Sequence, residues 1–224
     1  MSQDFESIER DVEAAVDGDP ASVAERVRTI TLGALSHGKL DTDALKQVTD
    51  AVLKGAQQGI ARPDRERTAA IREAVRGLDE ALATAAQATL LAVKEAVGRG
   101  SEYSRQEIRG TLDQLGAMES NFLRTLSDAG RGATGLARAT LHELAEHARN
   151  SGTAVGGRVA NAGADLARAV ADLTREQVQS GAQTLRNEAG LLAALASGML
   201  RGIADRLHPA GSDNGKGGPR DPQS

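Results

Sequence analysis

The feature that most constrains the fold is a proline-free stretch from residue 64 to residue 208. Of the five prolines in the 224-residue chain, Pro20 and Pro63 lie in its body and the other three follow residue 208. Proline lacks a backbone N–H, and its ring clashes with the preceding helical turn, so it breaks helices. The stretch between the second and third prolines can therefore be helical throughout.

The composition favours thin seams between helices over a thick core. Alanine occurs 40 times and leucine 24 times, and both are strong helix formers. The aromatic residues are Phe5, Tyr103 and Phe122, too few rings to fill a compact interior of this size. We therefore predict an all-α fold, an elongated, coiled-coil-like bundle of long amphipathic Ala/Leu-rich helices.

The clearest periodic pattern follows Pro63. Apolar residues recur there at steps of three and four, which places them on one face of a helix. This mixture of steps is typical of nearly straight, lightly supercoiled helices. The members of the stripe are Ile71, Val75, Leu78, Leu82, Ala86, Leu90, Val93 and Val97.

Three short helices are predicted before this region, the first over Asp4–Val16. The second starts either at Asp19, with proline in its first turn, or at a capping box formed by Ser22 and Glu25. The apolar stripe of the second helix is Val23, Val27, Ile30 and Ala34. The expected caps and stripe of the third are Asp41 or Thr42, then Leu45, Val48, Val52 and Ala56.

Beyond residue 98, capping and glycine signals predict an antiparallel hairpin followed by two weak points. Ser104 and Glu107 form another capping box, which opens a helix through Leu115, Phe122 and Leu126. Glycines at 130, 132 and 135 then weaken that helix, and residues 151–157 are the second weak point. Between them the stripe resumes at Leu136, Leu141, Leu144 and Ala148.

The last third of the chain carries an unusually wide apolar face. Its stripe is Leu185, Leu192, Met199 and Ile203, widened by Leu191, Leu195 and Leu200. Such a face must be covered by several helices, another subunit or a surface. We divide the chain into short helices over 1–61, a long-helix bundle over 64–207 and a disordered tail over 208–224.

One helical segment is similar to the zinc-peptidase motif. His142 and Glu143 match the start of this motif, but glutamate stands at position 146, where the second histidine belongs, and the next histidine is His147. On a helix, His142 and Glu146 lie on one flank of the apolar face and Glu143 and His147 on the other. We therefore predict solvated pairs, with metal binding as the weaker alternative.

Charged and glycine patterns elsewhere allow two interpretations each. The arginine rows are Arg124, Arg131, Arg138 and Arg149, then Arg168, Arg175 and Arg186. Nearby Asp128, Asp165 and Asp172 favour a salt-bridged solvent face over one facing an anionic surface. Pairs of glycines at 55 and 59, 152 and 156, and 198 and 202 indicate either close helix approach or tolerated kinks. The 211–217 segment is similar to a phosphate loop but has the wrong spacing and no preceding strand.

Several function classes are disfavoured. A net charge of −4 without a basic stripe argues against nucleic-acid binding. The uncharged stretches Ala81–Val93 and Ala189–Leu200 are too short to cross a bilayer, and no secretory signal is evident, so we predict a cytoplasmic protein. Cysteine is absent, and no nucleophile, base and stabiliser cluster together. We predict no catalytic, cofactor-binding or metal site and no small-molecule substrate.

Three segments carry a resemblance to a known group of proteins. They are His147–Val159 (HARNSGTAVGGRV), Ile8–Glu13 (IERDVE) and Ser197–Asp205 (SGMLRGIAD). Together they resemble an uncharacterised bacterial family of helical proteins without assigned function. The resemblance spans most of the chain and implies no active site. In composition the chain is also similar to phasins and exchangeable apolipoproteins.

Two functional hypotheses follow. The first is a non-enzymatic scaffold or interaction protein that forms a homo-oligomer or binds a protein partner through its Ala/Leu seams. The alternative is a surface-coating protein whose helices lay their apolar faces on lipid or storage-polymer granules.

Overall fold

The computed structural model describes residues 5–36, 42–59, 65–98, 105–161, 163–165 and 168. These residues contain helices and turns and no strand, so the prediction of an all-α fold is confirmed. The α-helices are α1 (Phe5–Val16), α2 (Val23–Ser36), α3 (Thr42–Gln58), α4 (Arg65–Gly98), α5 (Arg105–Gly132) and α6 (Gly135–Ser151). After α6 the described residues are helical again at 154–161, 163–165 and 168.

The connection between α1 and α2 settles which residue starts the second helix. Asp19 Oδ1 accepts a hydrogen bond from the Ala21 N–H at 3.1 Å, and Pro20–Ser22 forms a single 3₁₀ turn. Ser22 donates its hydroxyl to the Asp19 carbonyl, whereas Glu25 pairs with Arg28. Asp19 therefore caps the 3₁₀ turn that leads into α2, with Pro20 in its first position, and the capping box of Ser22 and Glu25 does not form.

The six helices pack as a bundle around one continuous apolar core. α4, about 51 Å long at 1.5 Å per residue, packs against α2, while α1 packs against α3 and α5 against α6. The predicted α3 stripe is buried throughout, as is the α4 stripe from Ile71 to Val93. The side chain of Val97 lies outside the described residues.

The break between α5 and α6 falls where the glycines predict it, at Ala133 and Thr134. The α6 stripe, however, differs from the prediction, because Leu136 is 41% exposed while Leu141 and Ala145 are buried. Five positions on an α-helix correspond to a rotation of about 140°, so Leu136 and Leu141 cannot share a face. The expectation that Leu136 belongs to the core was wrong.

Other predictions concern parts of the chain outside the described residues. They are the capping box of Ser104 and Glu107, the wide apolar face from Leu185 to Ile203 and the 208–224 tail. Within the described helices, none is long and apolar enough to cross a membrane.

Candidate functional site

Glu143, Glu146 and His147 of α6 each have a different partner. Glu143 forms an ion pair with Arg72 of α4 at 2.6 Å, and Glu146 pairs with an arginine of its own helix at 2.7 Å. The His147 ring nitrogen Nδ1 lies 3.4 Å from the Ser151 hydroxyl. In the part of the chain that the structure describes, no three His, Cys, Asp or Glu side chains are grouped to hold a metal ion.

Two arginines of the rows form ion pairs with the aspartates that the sequence places beside them. Arg131 pairs with Asp128, and Arg168 pairs with Asp165 at 2.8 Å. Arg124 donates instead to the Asn121 side-chain oxygen at 2.8 Å. Arg175, Arg186 and Asp172 lie outside the described residues.

The described glycine pairs have different surroundings: Gly55 and Gly59 lie at a close contact between helices, and Gly152 lies at a helix end. A Cβ at Gly55 would overlap the Glu9 carbonyl, and one at Gly59 would lie 2.9 Å from Val16, so of the two interpretations the close approach of α1 and α3 applies here. Gly152, however, is not inside a helix. It follows the end of α6 with φ +81°, a conformation that favours glycine. Gly198 and Gly202 lie outside the described residues.

A group of polar contacts between three helices lies immediately after Gly152. Thr153 caps the helical residues 154–161, because its hydroxyl oxygen accepts the Gly156 N–H at 2.9 Å. The next two backbone N–H groups point at α4. Ala154 donates to Asp79 Oδ2 at 2.7 Å, and Val155 donates to Asp79 Oδ1 at 3.0 Å.

A second carboxylate completes the site. Thr153 donates its hydroxyl to Glu119 Oε1 of α5 at 2.8 Å. A Cβ at Gly156 would overlap the Glu119 carboxylate, so glycine at that position makes room for it. We call Asp79, Glu119 and Thr153 the clasp. It ties α4 and α5 to the start of the 154–161 helix.

Burial raises the pKa of Asp79 above its usual value. The two backbone N–H donors oppose this rise, while the negative charges of Glu119 and Glu80 add to it. A carboxylate that accepts two N–H groups at a helix start is a capping arrangement, favoured by the helix dipole. The clasp can therefore position a helix, and its stability depends on its protonation state.

A second feature is an apolar strip on the solvent side of α4. Leu91 is 59% exposed, and Ala88 and Ala92 beside it are exposed as well. On the opposite side of the same uncharged segment, Leu82, Ala86 and Leu90 are buried. We call Ala88, Leu91 and Ala92 the α4 strip.

A shallow groove lies between α1 and α2. Asp11, Glu25 and Arg26 line it together with Ala14, Thr29 and Ile30. The Arg26 guanidinium reaches across to the Ala15 carbonyl at 3.5 Å. This contact joins the two helices, so the arginine has a structural role in the groove.

The chain matches a protein family over most of its length. A model described as a family of unknown function, DUF6781, matches residues 1–209. The chain belongs to this family. The expected resemblance to a helical family without assigned function is thereby confirmed. No curated protein and no solved structure matches the chain.

The DUF6781 match includes both the clasp and the α4 strip. The sequence pattern predicts the weak point at 151–157 and shows the uncharged stretch of α4, but it does not indicate Asp79 or Glu119 as site residues. A local signal for the helix start exists, since Thr153 follows a glycine and precedes Gly156 by three positions. Nothing local indicates which distant carboxylates meet it, because Asp79 lies 75 residues before Ala154.

Proposed function

We propose that this DUF6781 protein is a non-enzymatic helical interaction protein that associates with a second copy of itself through the α4 strip. The observation that carries the proposal is the exposure of Leu91, 59%, in a helix whose other leucines at 78, 82 and 90 are at most 5% exposed. With the exposed Ala88 and Ala92, Leu91 forms a contiguous apolar patch, the kind of surface feature that marks protein contacts.

The side chains around Leu91 suit a helix-to-helix contact. Alanines at 88 and 92 allow a second helix to approach closely, and Leu91 can insert between them as a knob into a hole. In a two-fold dimer each copy supplies both the leucine and the small residues that receive it. The proposed dimer is therefore a paired, coiled-coil-like arrangement of two α4 helices.

Charge favours a second copy over an anionic surface. Lys94 and Glu95, both exposed next to the strip, give it one charge of each sign. A second copy can therefore offer the opposite charge to each. The chain as a whole carries a net charge of −4, which gives no attraction to anionic lipid.

Light scattering tests the proposal. The wild-type protein at tens of micromolar is expected to show twice the chain mass of 23.2 kDa, and Leu91→Glu to return it to the mass of one chain. Leu136→Glu is the matched control, because Leu136 is also exposed, at 41%, but lies on α6 away from the strip. A dimer that persists in Leu91→Glu would overturn the proposed interface.

The same measurement with liposomes distinguishes the alternative of a lipid- or polymer-coating protein. A wild-type chain that stays monomeric and binds anionic liposomes would replace self-association by surface coating. Loss of that binding in Leu91→Glu would then assign the strip to the lipid surface.

A further inference from the structure

The clasp connects two parts of the molecule through few contacts. α6 ends at Ser151, and only Gly152 and Thr153 separate it from the helical residues 154–161. No atom lies within 4 Å of the place where a side chain at Gly152 would start. The backbone at this position is therefore uncrowded and can serve as a hinge.

Beyond the hinge, two buried valines and a small set of polar contacts join residues 154–161 to the bundle. Val155 is fully buried and Val159 is 2% exposed. Besides the clasp, Arg158 donates to Gln87 of α4. The interior of α1–α6, by comparison, contains most of the buried apolar residues of the described chain. The contact that holds residues 154–161 is thus much smaller than the one that holds the bundle.

The charges at the clasp oppose its closure. Asp79 and Glu119 are both carboxylates, and among the described residues neither forms an ion pair with lysine or arginine. Glu80, which adds to the negative charge near Asp79, pairs with Arg76 of its own helix. Hydrogen-bond donors alone therefore hold the two carboxylates together.

Two charged groups on the elements around α4 have partners away from Asp79. From α6, Glu143 pairs with Arg72, one to two helical turns before Asp79. From the 154–161 helix, Arg158 contacts Gln87, two turns after it. Besides burial, two influences therefore act on the pKa of Asp79. Its two backbone N–H donors lower it, and the carboxylates of Glu119 and Glu80 raise it.

We propose that the clasp is a releasable latch, from which residues 152–161 separate as one unit while α1–α6 remain packed. The hinge at Gly152 gives the freedom to move, and the clasp determines how often the segment opens. Local opening of this kind is expected where a few hydrogen bonds and a small apolar contact hold a segment to a larger core.

Acid favours the closed latch. In the closed state burial raises the pKa of Asp79, whereas in the open state the hydrated carboxyl has its ordinary value of about 3.8. The closed state therefore binds the proton more tightly. By linkage, this contribution to closure is fully present below pH 3.8 and is lost as the pH rises through the raised pKa.

Hydrogen exchange on the full chain in dilute solution tests the latch. Asp79→Ala removes the acceptor of two N–H groups, so we expect the amides of residues 158–161 to exchange about tenfold faster. The amides of α1–α3 should keep their wild-type protection. Glu73→Ala, one carboxylate removed from the same helix away from the clasp, is the matched control and should leave residues 158–161 unchanged.

A second variant tests whether closure depends on the protonation of Asp79. Protection of residues 158–161 in the wild type, corrected for intrinsic exchange, should increase as the pH is lowered from neutral towards 3.8, and Asp79→Asn should remove this increase. Unchanged protection in Asp79→Ala would overturn the latch. So would an equal loss of protection across all helices, because the clasp would then belong to the core. Neither result depends on whether the protein dimerises.

Discussion

At the scale of single residues, glycine sets how closely the helices of this bundle approach. A Cβ at Gly77 of α4 would overlap the carbonyl oxygen of Ala24 in α2, and Gly55 of α3 meets α1 in the same way. Glycine inside a helix costs up to about 1 kcal/mol relative to alanine. Close packing of two backbones, with the dispersion contacts it brings, offsets that cost.

Replacing Gly77 by alanine should therefore destabilise the protein despite the better helix propensity of alanine. We expect a loss of about 2 kcal/mol from forced separation of α2 and α4. Gly33→Ala is the control, because no atom lies within 4 Å of its Cβ position, and it should gain about 0.5 to 1 kcal/mol. Urea unfolding measures both changes, and equal effects of the two substitutions would contradict the close approach.

At the scale of elements, proline, glycine and apolar spacing predict where the helices start, stop and face. The stripe through α4 and the break after Gly132 could be read locally, because a helix face repeats every three or four residues. The orientation of Leu136 could not be predicted locally, because the turn before α6 sets the rotation of the first residues of that helix. The clasp could not either, because its carboxylates lie 75 and 34 residues before their partners.

The turn before α6 depends on the backbone conformation of Gly135. Its φ is +55°, in the left-handed region, where a side chain costs roughly 1 to 2 kcal/mol. Gly135→Ala should therefore lower the free energy of unfolding by about that amount. Gly132→Ala, three residues earlier and also without a neighbour at its Cβ position, should be neutral or slightly stabilising. Thermal unfolding followed by circular dichroism compares the stability of the two variants. A Gly135→Ala variant with wild-type stability would show that the α5–α6 turn tolerates another conformation.

At the scale of the whole molecule, the core passes without interruption from α1 to the 154–161 helix. Three of its buried threonines, Thr31, Thr49 and Thr140, donate their hydroxyls within their own helices. Thr31 and Thr49, for example, each donate the hydroxyl to a carbonyl four residues earlier at 2.8 Å. Among the described residues, no buried side-chain nitrogen or oxygen lacks a hydrogen-bond partner. The short helices α1–α3 and the longer helices after them thus share one apolar interior.

A shared interior predicts that α1–α6 unfold together. Leu53 of α3 and Leu126 of α5 are at most 1% exposed, and replacing either by alanine should cost about 2 to 5 kcal/mol. Because the two leucines belong to one core, either substitution should lower the stability of every helix, including those on the other side of residue 61. Leu91→Ala, at an exposed position, should change stability by no more than about 0.5 kcal/mol.

Urea unfolding followed by circular dichroism, with hydrogen exchange in α1 and α6 as separate local probes, measures this cooperativity. Coincident transitions in the wild type and in both core variants would establish a single folding unit over α1–α6. If Leu53→Ala instead loosened only α1–α3, leaving the exchange of α6 unchanged, the chain would consist of two units divided near residue 61. The α4 strip would then have to be tested as a surface of the second unit alone.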